Sequence, residues 1–145
     1  MADPRLAVSF KGIGIETASF KAGGAGGAAI AYSATSEGGS AAVGKAVTLS
    51  AAGTVALAAD AEAVIGKLLK VEPDGICLVQ IGGFCTLPGG NGAALTLGKR
   101  IVGAADAGGN PGFIRECAAA AGEYVVARGF IVDVGTPAST VVWLD

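Results

Sequence analysis

From Lys45 onward, apolar and polar positions alternate in short runs. Val47 and Leu49 alternate with Thr48 and Ser50, Ala52-Gly53 turns the chain, and Thr54 to Leu57 returns with the same period. A period of two is the mark of a half-buried strand. Ile65 to Val71 is a further strand candidate. Pro73-Asp74-Gly75 then predicts a turn, because proline presets one dihedral and glycine supplies a positive φ. Ile76 to Ile81 and Phe84 to Leu87 follow as strands around Gly82-Gly83, and Pro88 to Gly92 reads as a loop. Leu95 to Leu97, Arg100 to Val102, Tyr124 to Val134 and Thr140 to Leu144 complete the apolar runs, with a turn-rich loop from Ala104 to Gly112. One helix candidate, Ile114 to Ala121, rests on its alanines.

Before Gly44 the pattern weakens. Leu6 to Phe10 and Gly12 to Ile15 each suit a short strand, but Ala22 to Ala29 is almost pure glycine and alanine and Gly38-Gly39-Ser40 reads as a linker. Such a stretch has few large side chains to bury. The expectation is an all-β protein: a small β-barrel or sandwich over residues 45–145, preceded by an extended Gly/Ala-rich N-terminal arm over residues 1–44.

Length and composition narrow the classes. The 145 residues suit one modest domain, and the 52% hydrophobic content leans on alanine, which buries little area. The formal charge of −2, with lysines and arginines scattered singly, leaves no electrostatic footprint for nucleic acid. The longest uncharged stretch, Gly75 to Gly98, is interrupted by Pro88-Gly89-Gly90-Asn91-Gly92, so no continuous membrane-spanning helix is expected. Met1 to Arg5 lacks the basic start and apolar core of a signal peptide, which implies synthesis in a cytoplasm. Cys77, Cys85 and Cys117 form no C-x-x-C pair and read as small buried thiols, although Cys77 and Cys85 could face each other across a hairpin.

Candidate chemistry is sparse. The chain has no histidine, which removes the commonest general base and metal ligand and any Cys-His or Ser-His-Asp site. Paired carboxylates remain conceivable at Asp60 and Glu62 or at Glu72 and Asp74, but each pair sits where a turn wants polar residues. Gly39-Ser40-Ala41-Ala42-Val43-Gly44-Lys45-Ala46 has the glycine and lysine spacing of a phosphate-binding loop. Ala46 replaces the magnesium-binding hydroxyl, however, and a strand pattern follows instead of a helix. Gly24-Ala25-Gly26-Gly27-Ala28-Ala29 fits a dinucleotide fingerprint only loosely, with no apolar strand before it and no acidic residue at the ribose-binding distance. No catalytic residue, cofactor or metal is therefore expected.

The order of motifs from Gly44 to Leu144 resembles the small β-barrel decoration (cement) proteins of tailed bacteriophages, of the lambda head decoration type. It runs through Gly44-Lys45-Ala46-Val47-Thr48-Leu49, Gly53-Thr54-Val55-Ala56-Leu57-Ala58-Ala59-Asp60, Ile65-Gly66-Lys67-Leu68-Leu69, Asp74-Gly75 and Val79 to Pro88. It ends with Leu97-Gly98-Lys99-Arg100-Ile101 and Ala127-Arg128-Gly129-Phe130-Ile131-Val132. The resemblance implies a virion structural protein on the outer capsid surface. It would form a homotrimer, contact the phage major capsid protein and bridge neighbouring capsid subunits, with no nucleic acid or membrane partner. Another virion β module, such as a tail, fibre or carbohydrate-binding piece, is the alternative. Sugar binding would want a grouped aromatic platform, and nothing in the sequence groups Trp143, Tyr32 and Tyr124.

Candidate capsid or subunit contacts are Arg5, Phe10, Ile13, Ile15 and Phe20 in the arm, and Arg115, Tyr124, Arg128 and Trp143 late in the chain. The late cluster of Arg115, Glu116, Glu123, Tyr124 and Arg128 reads first as local surface ion pairing, with a capsid or subunit contact as its functional reading. Trp143 lies in a β-branched run with both faces apolar, which predicts cover on both sides. Full burial of the ring would make Trp143→Ala cost about 3–5 kcal/mol.

Overall fold

The computed structural model describes residues 15–91, 95–118, 122–136 and 139–145. Nine strands are found among them: β1 Glu16–Ala22, β2 Ala46–Ala51, β3 Thr54–Leu57, β4 Gly66–Val71, β5 Ile76–Leu87, β6 Ile101–Ala105, β7 Pro111–Glu116, β8 Phe130–Thr136 and β9 Ser139–Leu144. The all-β barrel expected from the strand spacing is present. β1, β3, β2, β4 and β5 pair in that order, and β5 pairs back to β1, closing a five-stranded barrel. All contacts around it are antiparallel except the parallel meeting of β1 with β3, where Lys21 faces Thr54 and Ala22 faces Val55.

The expected boundary at 44/45 moves. β1 contributes six register pairs to β5, from Glu16 with Gly82 to Lys21 with Ile76, so residues from Glu16 onward are part of the barrel. Thr17, Ser19 and Lys21 are exposed while Ala18, Phe20 and Ala22 turn inward, the alternation a half-buried strand requires. Beyond it Gly24, Ala25, Gly26, Gly27 and Ala29 are exposed, but Ala28 lies against the barrel core and Ile30 and Ala42 join it. Glycine serves close approach here, since a Cβ at Gly39 would collide with the Val71 carbonyl, and Gly39 has a φ of 87°.

The barrel interior is a cluster of Val47, Val55, Leu57, Leu68, Val71, Cys77 and Val79, drawn from β2 to β5 and covered by Phe20 and Ala22 of β1. A second core lies beyond it, where Cys85 and Leu87 of β5 meet Ile101, Ile114, Ile131, Val142 and Leu144. β5 supplies both cores because it bends. Gly83 has a φ of 86°, and the buried Gln80 amide donates to the Gly82 and Phe84 carbonyls at 3.1 and 2.8 Å. Beyond the bend β5 pairs with β9, and β9 with β8, while the β6–β7 hairpin packs beside them.

Three local expectations are corrected. Ile114 to Glu116 lies in β7 instead of a helix; the Ile114 N–H donates to the Pro88 carbonyl and its carbonyl accepts from Gly90, so tertiary pairing overrides alanine propensity. Cys117 and Ala118 are irregular, and 119–121 lie outside the described residues. Tyr124 opens no strand, because Glu123–Val125 is a short 3₁₀ turn and β8 begins at Phe130. The two strand candidates around Gly82-Gly83 are one strand.

Candidate functional site

Of the expected contact residues, Arg5, Phe10 and Ile13 lie outside the described residues. Ile15 is exposed at the head of β1, and Phe20 is half-buried against the barrel core. The late cluster separates into distinct tasks. Arg115 forks onto Glu123, with Nη1 and Nη2 donating at 2.9 and 2.7 Å, and its Nε donates to Asp60 at 2.8 Å. Glu123 is buried and also accepts the Ala118 N–H at 2.6 Å. The Arg115 hydrogen bonds and then that backbone bond hold the Glu123 carboxyl down from 4.5 to about 2, and the hydrogen bonds to Glu123 and then Asp60 raise the Arg115 guanidinium. Tyr124, next to it, stays exposed.

Arg128 is an internal clamp. Its Nη1 donates to the Ile65 carbonyl at 2.6 Å, its Nη2 to the Ile81 and Asp145 carbonyls, and its Nε to Asp145. It thereby ties the barrel strands to the end of β9. A guanidinium carries five donors in a fixed fork, and here most are consumed by backbone oxygens, which leaves little for a partner.

Trp143 is not a core residue: it is 44% exposed, while Val141, Val142 and Leu144 around it are buried. The reason is a row that the fold assembles. Trp143 pairs directly with Phe84 of β5 on one side and Phe130 of β8 on the other. Its ring centroid lies 6.1 Å from each, at interplanar angles of 19° and 34°. The Arg100 guanidinium caps Phe130 at 5.3 Å. Beyond Phe84 on β5, the Thr86 hydroxyl accepts a 3.0 Å hydrogen bond from the Lys67 ammonium. Offset aromatic stacking and cation–π contact each add attraction beyond burial. Sequence reasoning missed Phe84 and Phe130, which sit 59 and 13 positions before Trp143. The available signal was the pair Gly83-Phe84 and Gly129-Phe130, each a positive-φ glycine delivering an aromatic residue onto a strand.

The rejected motifs have structural explanations. In the near phosphate loop, the amides of Ala42, Val43, Gly44 and Lys45 donate to Ser40 Oγ, the Ser40 carbonyl, the Leu68 carbonyl and the Ala42 carbonyl. Four consecutive donors are thus spent within the fold, and the Lys45 ammonium lies 5.5 Å from the Phe113 ring centroid. The chain matches no family model, no curated protein and no solved structure. The paired carboxylates are also divided among structural partners. Asp60 faces Arg115, Glu62 accepts the Ala59 N–H, Glu72 pairs with Lys70 at 2.7 Å, and Asp74 accepts the Ile76 N–H. Cys77, Cys85 and Cys117 are buried thiols outside any disulfide, and burial pushes the Cys77 thiol up. Among the described residues no group of three metal-ligating side chains occurs, and no helix is long and apolar enough to cross a membrane.

Proposed function

We propose that this protein is a structural component of a virus particle, a decoration protein that binds the outside of a tailed-phage head as a trimer and bridges neighbouring major capsid protein subunits. Its action is a matter of surface area and geometry instead of bond chemistry, and no enzymatic step is assigned to it. The observation that carries this reading is the outward row of Phe84, Trp143 and Phe130 on a barrel whose charged side chains mostly serve its own fold. Exposed aromatic side chains beside an arginine are typical anchors of protein interfaces. The ordered motifs from Gly44 to Leu144 support the same reading.

The grouping of three aromatic residues also favours the carbohydrate-binding alternative more than the sequence did. Sugar rings stack on open aromatic faces, however, and here the Phe84 and Trp143 rings stack on each other while Phe130 stands tilted beside them. The rims that remain suit a protein partner better.

The test is electron microscopy of particles from a phage carrying this coding sequence, with and without it. Decoration predicts three-fold density on the outer head surface that disappears on deletion, together with heads that rupture at lower temperature. Particles that keep an unchanged head surface and unchanged heat resistance would refute the reading.

A further inference from the structure

We infer that the shallow cavity between the loop of residues 31–41 and the start of β2 binds a sugar acid, a hexuronate ring whose carboxylate meets Lys45. The inference goes beyond the proposed function and does not rest on it. The cavity shares no residue with the aromatic row.

The cavity measures about 390 Å³, and Tyr32, Ser33, Ser36, Ser40, Lys45 and Leu57 are among the residues that line it. That volume suits a small ligand held by a few placed polar groups. The loop is fixed before any ligand arrives. The Ser33 N–H donates to the Gly39 carbonyl at 2.8 Å, and the Gly39 N–H donates to the Ser36 carbonyl at 3.0 Å. Ile30 and Ala42, which flank the loop, are buried in the barrel core. Groups already held in place lose little entropy on binding.

Hydroxyls supply the polar contacts. Ser40 is only 4% exposed; its oxygen accepts the Ala42 N–H at 3.2 Å, and its proton meets no acceptor among the described residues. The Ser33 hydroxyl bonds only that of Thr35, at 3.1 Å, and those of Ser36 and Tyr32 make no hydrogen bond among the described residues. A hydroxyl both donates and accepts, and a buried one calls for a partner. A sugar ring presents the same chemistry in return. The exposed Tyr32 ring gives its C–H edge an aromatic surface.

Lys45 sets the charge of the ligand. It is half-buried, its ammonium lies 5.5 Å from the Phe113 ring centroid, and it forms no ion pair among the described residues. The Asp106 carboxyl is held below its ordinary value first by Asn110 and only last by the charge of Lys45, and its oxygens accept from Asn110. One cation matches one carboxylate. A phosphate dianion calls for more donors, and the backbone amides of Ala42 to Lys45 are already spent. An adjoining cavity of about 580 Å³ shares Ser36, Ser40 and Ala41 and adds the Glu37 carboxylate. Glu37 accepts from neutral sugar hydroxyls and repels a second acid, so the acid end of the ligand is the Lys45 end.

The experiment follows the backbone amides of the isotope-labelled full chain by NMR as glucuronate, glucose or inorganic phosphate is added. Glucuronate should shift the amides of Tyr32, Ser36, Ser40 and Lys45 with a dissociation constant of about 1 mM, and glucose should bind about tenfold more weakly. Lys45→Gln should bring glucuronate down to the level of glucose, and Tyr32→Ala should weaken both sugars, each variant keeping the wild-type melting curve. Should Lys45→Gln fail to fold, added salt, which screens the same contact, should weaken glucuronate and leave glucose alone. No amide shift well above millimolar glucuronate, equal binding of glucose, larger shifts with phosphate, or a folded Lys45→Gln chain with unchanged glucuronate affinity would each overturn the inference. So would shifts confined to Phe84, Phe130 and Trp143, which would move the sugar to the aromatic row. A glucuronate-terminated oligosaccharide separates the two sources of such a ligand: tighter binding than the free acid supports the inference with a glycan as the source, and weaker binding supports it with the free acid.

Discussion

Trp143→Ala separates a surface stack from a buried anchor. Complete burial would make the loss about 3–5 kcal/mol. The ring is 44% exposed, so little more than half of that transfer and packing energy is at stake. The two stacking contacts fall within the same allowance, since aromatic pairs contribute about 0.5–1.5 kcal/mol each beyond area. The expected loss is therefore about 2 kcal/mol, or a fall in melting temperature of about 4–8 °C for a chain of this size. Far-UV circular dichroism and urea unfolding measure it without needing the indole. Trp143→Phe keeps a ring between Phe84 and Phe130 and should lose less than half as much. A loss of 4 kcal/mol or more, as an order of magnitude, would mean that something else covers the ring in solution, and the exposed-row argument would fall. A loss near zero would mean that the stack holds nothing, and the row would then lack its preordered character.

Four further outcomes are expected. A chain lacking residues 1–22 loses β1 and its pairs to β5 and β3 and should no longer melt cooperatively by calorimetry. Gly66→Ala should destabilise by about 3 kcal/mol or more in urea titration, because its Cβ would collide with the Gln80 carbonyl inside the barrel wall. Arg128→Ala should cost about 2 kcal/mol or more by the same assay, from lost charged hydrogen bonds to the half-buried Ile65 and Ile81 carbonyls and to Asp145, while Tyr124→Ala should be nearly silent. Glu123 titrates lower when folded than when unfolded, so its contribution is complete above pH 4.5 and is lost as pH falls toward about 2; Glu123→Gln should flatten that limb of the pH–stability curve.

The legible part of the fold is the part set by neighbours in sequence. The hairpins β2–β3 and β4–β5 follow from alternation and from turns at Gly53 and Gly75, both at positive φ. β1 was legible in principle, since Thr17, Ser19 and Lys21 alternate with Ala18, Phe20 and Ala22. Its glycine-rich flanks disguised it, because a barrel strand needs no large side chains when its neighbours supply the filling. The helix expected at Ile114 failed for the converse reason: local alanine propensity is worth tenths of a kcal/mol per residue, less than hydrogen bonding on both strand edges.

The sequence by itself determined the class of the protein, from strands of period two and turns with proline and glycine. It also determined what chemistry is missing, since a chain without histidine cannot assemble histidine-based sites. Only the tertiary structure decided which side chains meet. Arg128 looked like a surface anchor and became an internal clamp, because β4, β5 and the end of β9 converge on it. Phe84, Phe130 and Trp143 became one row because the bend at Gly83 carries β5 out of the barrel and into register with β9. Strand propensity is local, but register is set by long-range pairing, and a shift of one residue would turn each ring to the opposite face.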